Sequence, residues 1–144
     1  MAALLVTAIV TDLRSRTIAN RLNLAVALLG LAWWVASGLS VAGAGLQLAG
    51  AALMLLLFGL AFALGMMGGG DVKLIAALAL WLPVGLLLKL IMLMSIGGGI
   101  LTVAMLAIKL ARGSEERPEI PYGVAIAGAA LLIMTNDILT IAAA

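Results

Sequence analysis

The sequence predicts an all-α, polytopic transmembrane bundle of about six spans, with residues 1–144 forming a single membrane domain. Three observations carry this expectation. Of the 144 residues, 66% are hydrophobic and 10% charged, whereas a soluble domain is about half apolar and about a quarter charged; the mean hydropathy is +1.33. The apolar residues fall in long runs, most of them near the roughly 20 residues that cross a hydrocarbon core. The charges collect between those runs. Six such spans consume about 120 positions, which leaves only short connections.

The first run, Met1 to Val10, has its charges after it, the reverse of a cleavable signal peptide, and is read as a retained span. Ten helical residues rise only about 15 Å, half the hydrocarbon thickness, so this span is short, tilted among neighbours, or preceded by further residues. Thr11 to Asn23 holds Asp12, Arg14, Arg16 and Arg21 and is an interface segment. Leu22 to Ser37 and Leu46 to Met66 flank the uncharged turn Gly38 to Gly45 and form a helical hairpin. Gly68-Gly69-Gly70 and Asp71 break the pattern before a fourth span from Val72 to about Leu88. Lys89 marks the next turn, Leu90 to Ile108 the fifth span, and Lys109 to Pro121 a polar loop with Arg112, Glu115, Glu116, Arg117 and Glu119. Tyr122 to Leu139 is the sixth span, and no internal repeat is evident.

Lys and Arg are retained on the cytoplasmic side. With the amino terminus outside, Arg14, Arg16, Arg21, Lys73, Lys109, Arg112 and Arg117 are cytoplasmic, and only Lys89 faces out. The same parity brings Asp12, at the inner end of span one, and Asp71, at the inner start of span four, to one face of the membrane.

Absences narrow the chemistry. There is no Cys and no His, hence no disulfide, thiol nucleophile, imidazole base or zinc site of the usual kind. A net charge of +2 and a pI near 9.5 come from residues flanking the spans, so nucleic acid is set aside as a partner. Catalysis falls to carboxylates, with no metal or cofactor. Each acid has a structural alternative: Asp71 as the N-cap of span four, Asp12 as an interfacial anion facing Arg16 one turn later. As a pair they are more informative. Two carboxylates converging in a partly dehydrated site cannot both ionise easily, so one keeps a proton while the other activates water. Gly68, Gly69 and Gly70 let an extended peptide lie close to the acid, a substrate-binding role.

In these motifs the chain resembles the type IV prepilin peptidases, and within them the short branch that processes Flp pilins of Tad systems. Gly68-Gly69-Gly70-Asp71, followed by Val72-Lys73-Leu74, fits the family's GxGD motif. Asp12 six residues ahead of Ile18-Ala19-Asn20 resembles its first-aspartate motif, with Ala19 where the family has Pro, and Pro121-Tyr122-Gly123 opens the last span. The resemblance implies an aspartic endopeptidase, with Asp12 and Asp71 catalytic. It would remove the basic leader of a prepilin at the cytoplasmic face of the inner membrane, with the bilayer and pilus or secretion machinery as further partners. Larger members methylate the new amino terminus through a cysteine-bearing insert; this chain has neither Cys nor room, so no methyltransferase activity is expected. The presenilin class shares GxGD but has Tyr-Asp at its first acid and a later Pro-Ala-Leu, both missing here. The alternative from another class is a non-enzymatic transporter or assembly scaffold, whose acids cap helices or relay ions and would tolerate Asn.

Lys73 either tunes the acid pair or binds the substrate backbone, or it snorkels to water. Asp137 sits at the outer end of span six as a hydrated residue. Gly59 with Ala63, Ala61 with Gly65, and Gly123 with Ala127 are read as close-packing pairs, and the methionines as packing. Gly97-Gly98-Gly99 either softens span five or packs closely. Glu115, Glu116 and Glu119 share the acids' face, where they either attract a basic leader or form a solvated loop offset by Arg112 and Arg117. If they attract it, changing Glu115 and Glu116 to Lys raises the apparent KM for a basic prepilin severalfold at low salt with little change in kcat; an unchanged KM leaves only the solvated loop.

Overall fold

The computed structural model describes residues 1–112 and 120–142, the side chains of 137–142 excepted. Glu115, Glu116, Glu119 and the Asp137 side chain therefore lie outside the described residues. The expected all-α architecture is found as α1 (Ala2–Ser15), α2 (Asn20–Ala36), α3 (Val41–Ala63), α4 (Gly69–Ala79), α5 (Val84–Arg112) and α6 (Tyr122–Ala142). Leu- and Ala-rich runs favour helix throughout, and the breaks after α2, α3 and α4 fall where Gly, Ser or Pro intervene. Gly38 turns the chain with φ +64°, after which the Ser40 hydroxyl caps α3 by accepting the Gly43 N–H at 3.1 Å. Gly65, at φ +71°, closes the other end of α3.

The helices α3 and α5 are long and apolar enough to cross a membrane; α2 is apolar but shorter, and α6 is apolar over Tyr122–Asn136. At 14 residues, α1 rises about 21 Å and stays short, as its composition implies. Leu56 and Leu110 are 72% and 73% exposed on the outer faces; side chains like these suit hydrocarbon and would be a liability in water.

Two expectations are corrected, and one that was left open is decided. Lys89 does not mark a turn but lies within α5, and the chain instead breaks at Leu80–Pro83. Pro83 has no N–H and disfavours helix at Leu82, whereas one lysine is tolerated in a helix because its long stem reaches polar surroundings. Span four thus shrinks to the 11 residues of α4 and α5 grows to 29. Gly59 has open space where a Cβ would stand and Gly65 sits in a left-handed turn, so neither belongs to a packing pair. The triple glycine does not interrupt α5: a Cβ on Gly98 would meet the Tyr122 ring at 3.1 Å and one on Gly97 would meet Ala125 at 3.5 Å, which is close packing against α6.

At the centre is α4, packed against α2, α3 and α6. Val72, Leu74, Ile75, Ala77, Leu78 and Ala79 are all buried, which explains a short helix apolar on nearly every face. Of the methionines, Met54 and Met94 join the core while Met66 and Met92 are exposed. At the end of α4, Trp81 Nε1 donates to the Val26 carbonyl at 2.9 Å, Trp34 Nε1 donates to the Leu80 carbonyl at 2.6 Å, and the Trp33 and Trp81 rings stack at 6.4 Å. Trp81→Phe keeps most of the stacking and loses one bond, so unfolding in mixed micelles should show a loss of about 1 kcal/mol; no loss would mean the indole bond is not formed in the folded protein.

Candidate active site

The helices return the end of α1 and the starts of α4 and α6 to one end of the bundle, and both acids sit there, beyond the apolar runs Met1–Val10 and Val72–Leu80. Asp12 occupies the last turn of α1 and is 4% exposed. Its Oδ2 accepts the Val124 N–H from the first turn of α6 at 3.0 Å, and the Gly123 N–H and the Arg16 charge also favour its ionised form. The interfacial anion expected of Asp12 is thus a buried, hydrogen-bonded carboxylate, although its relation to Arg16 holds. The helix ends as Arg16 turns left-handed at φ +54°, uncommon for a side chain other than Gly, and donates its N–H to the Asp12 carbonyl at 3.0 Å.

Asp71 is 9% exposed and is not the N-cap. Gly68 takes that place, and Asp71, in the third helical position, accepts the Gly68 N–H, the reaching-back half of a capping box. Both acids line one cavity of about 510 Å³, together with Arg16, Met67, Gly68 and Tyr122. A smaller cavity of about 220 Å³ continues past Asp71 between Thr17–Ile18 and the three glycines. Burial, and then the charge of Asp12, push the Asp71 carboxyl up to about 6. Burial also raises Asp12, but Val124, Arg16 and Gly123 oppose it. The pair is therefore asymmetric: Asp71 holds its proton more firmly and Asp12 ionises first.

The three glycines differ in what a side chain would strike. A Cβ on Gly70 would stand 3.0 Å from the Ile18 carbonyl oxygen, a backbone atom; on Gly68, 3.0 Å from Asp71 Oδ2; on Gly69, 3.3 Å from the end of the Phe62 ring. The Gly70 carbonyl also accepts Asn23 Nδ2 at 2.9 Å, which locks the turn after α1 onto the start of α4.

A model of the type IV leader peptidase family matches residues 1–103. The chain belongs to that family. No curated protein and no solved structure matches it. The match takes in both acids and the three glycines and ends within α5, so the α6 residues that hold Asp12 lie beyond it.

Not every candidate gathers at the two acids. Lys73 is two residues, about 200° of helix, from Asp71; its Nζ donates to Asn20 Oδ1 at 2.8 Å, and it lines a different groove, so it does not adjoin the acid pair. The three glutamates lie outside the described residues. Sequence reasoning missed the main-chain donor Val124, which no side-chain signal reveals. Gly123 was legible as part of Pro121-Tyr122-Gly123: its Cβ would lie 2.8 Å from Asp12 Oδ2 and 2.6 Å from Ile18 Cδ1. Ala19, where Pro is the family's habit, has φ −63° and ψ 138°, the backbone a proline would impose, so the turn keeps its form without the ring.

Two outcomes test this geometry. Single alanine substitutions should impair cleavage in the order Gly70, Gly68, Gly69, with Gly70→Ala losing at least tenfold and Gly69→Ala nearly silent; equal effects at all three would contradict the packing. Ala19→Pro should leave cleavage intact and add roughly 0.4–1 kcal/mol of stability through the unfolded chain, read by denaturant unfolding.

Proposed function

We propose that residues 1–144 act as one membrane domain, an aspartic endopeptidase in which Asp12 and Asp71 cleave the basic leader from a Flp-type prepilin at the cytoplasmic face of the inner membrane. The observation that carries this reading is a pair of buried carboxylates on one cavity with unlike partners. Membership of the leader peptidase family makes the substrate class a prepilin. The Flp branch rests on the absence of Cys from these residues, and the cytoplasmic face on the distribution of basic residues.

The asymmetry assigns the roles. Ionised Asp12 takes a proton from water as its oxygen attacks the scissile carbonyl carbon, while Asp71 gives its proton to the carbonyl oxygen, leaving a neutral gem-diol. Asp12, now protonated, delivers that proton to the leaving nitrogen. The C–N bond breaks, and a gem-diol hydroxyl returns its proton to Asp71 as the new carboxyl forms. The N-terminal amides of α6 suit Asp12 to the ionised role, since they favour negative charge there. The steps draw on no metal or cofactor. Methyl transfer is not part of the proposal, and the pilus or secretion machinery would act on the product.

Asp12→Asn and Asp71→Asn variants that insert normally should each abolish cleavage of a co-expressed Flp-type prepilin, read as a mobility shift; cleavage retained in either would rule out the dyad. With the wild type, kcat/KM should fall as pH rises through about 6, where free-enzyme Asp71 loses its proton, and should fall again at lower pH as Asp12 becomes protonated. Arg16→Gln removes a charge that favours ionised Asp12, so the acid limb should move to higher pH.

A further inference from the structure

A second concavity, of about 620 Å³, lies between α2, α3 and α4 and shares no lining residue with the two cavities at the acids. Its composition changes from end to end. The first turns of α2 and α4 contribute Asn20, Asn23 and Lys73, and the remainder is hydrocarbon, with Ala27, Ala52 and Ala76 leaving space that larger side chains would fill. Lys73 is partnered by Asn20 Oδ1 at 2.8 Å. That partner is neutral and no carboxylate lines the groove among the described residues, so the ammonium is left uncompensated with donors to spare. Asn23 is 5% exposed; its amide nitrogen is engaged by the Gly70 carbonyl, and its Oδ1 is buried without a partner among the described residues.

We propose that this groove binds one phospholipid molecule, with the phosphate on Lys73 and an acyl chain along the alanine wall. Lys73 to Leu80 spans about 10 Å of α4, all of it apolar beyond the lysine, so a ligand that fits must be anionic at one end and hydrocarbon beyond. Free phosphate would leave the apolar length unfilled. An apolar helix would cover the alanines but leave Lys73 without an anion. A phospholipid satisfies both. This proposal requires the membrane setting but not the peptidase chemistry.

The test is native mass spectrometry of the full chain in detergent with phosphatidylglycerol added, and diacylglycerol as the competitor without phosphate. The wild type should retain one phosphatidylglycerol that diacylglycerol does not displace. Lys73→Gln should lower that occupancy at least fivefold and Lys73→Arg restore it, with circular dichroism showing equal helix content. Ala52→Phe, at an exposed groove position, should lower occupancy with Lys73 intact. Asp71→Asn should retain the lipid, which separates this proposal from the fate of the peptidase reading. Equal retention by Lys73→Gln, equal displacement by diacylglycerol, or a copurifying polypeptide whose removal alone opens the groove would overturn it.

Discussion

A carboxylate withdrawn from solvent must be given donors, and the packing of this protein at one end follows from giving them to Asp12. An unpaired buried charge costs several kcal/mol, so α6 has to bring its first amides to α1, and Val124 does so at 3.0 Å. That approach leaves no room for a side chain at Gly123, whose Cβ would strike both Asp12 and Ile18. With Gly123 fixed, Tyr122 falls over Gly98, and α5 is drawn against α6. A single polar requirement thus orders three helices whose apolar surfaces alone would allow many arrangements, because lipid competes with every apolar contact.

The other acid is placed by close backbone approach. Gly70 lies against the Ile18 main chain, and Asn23 bonds its carbonyl, so the start of α4 and the turn after α1 behave as one piece. This seats Asp71 beside Asp12 on a common cavity while giving the two unlike surroundings. Asp12 faces a helix N-terminus and Arg16; Asp71 has the Gly68 amide and the neighbouring negative charge. The proposed division of labour between two chemically identical groups needs that inequality, and the inequality comes from backbone placement more than from charged side chains.

The central helix α4 links this site to the groove between α2 and α3. One of its faces carries Asp71 toward the acids' cavity, and Lys73, about 200° around the axis, opens onto the groove between α2 and α3. Two polar side chains on different cavities therefore fit within the first five residues of a helix that is otherwise largely buried and apolar.

Composition and the spacing of apolar runs were enough to determine an all-helical membrane protein, the number of its helices and, through their parity, that Asp12 and Asp71 share one end. Hydropathy is local and additive, so it survives without knowledge of neighbours. The three motifs were enough to place the chain near the leader peptidases, because they are short runs of side chains. Helix boundaries were less legible: the competition between Pro83 and Lys89 for the fourth break was decided by the backbone, since a missing N–H stops a helix and a lysine does not. Tertiary structure alone decided that Asp71 reaches back to Gly68 rather than capping, that Lys73 serves another groove, and that Val124 holds Asp12. The reason is common to all three. Each depends on a direction in space or on a main-chain donor, and a peptide N–H is the same at nearly every residue, so no letter of the sequence distinguishes the one that binds.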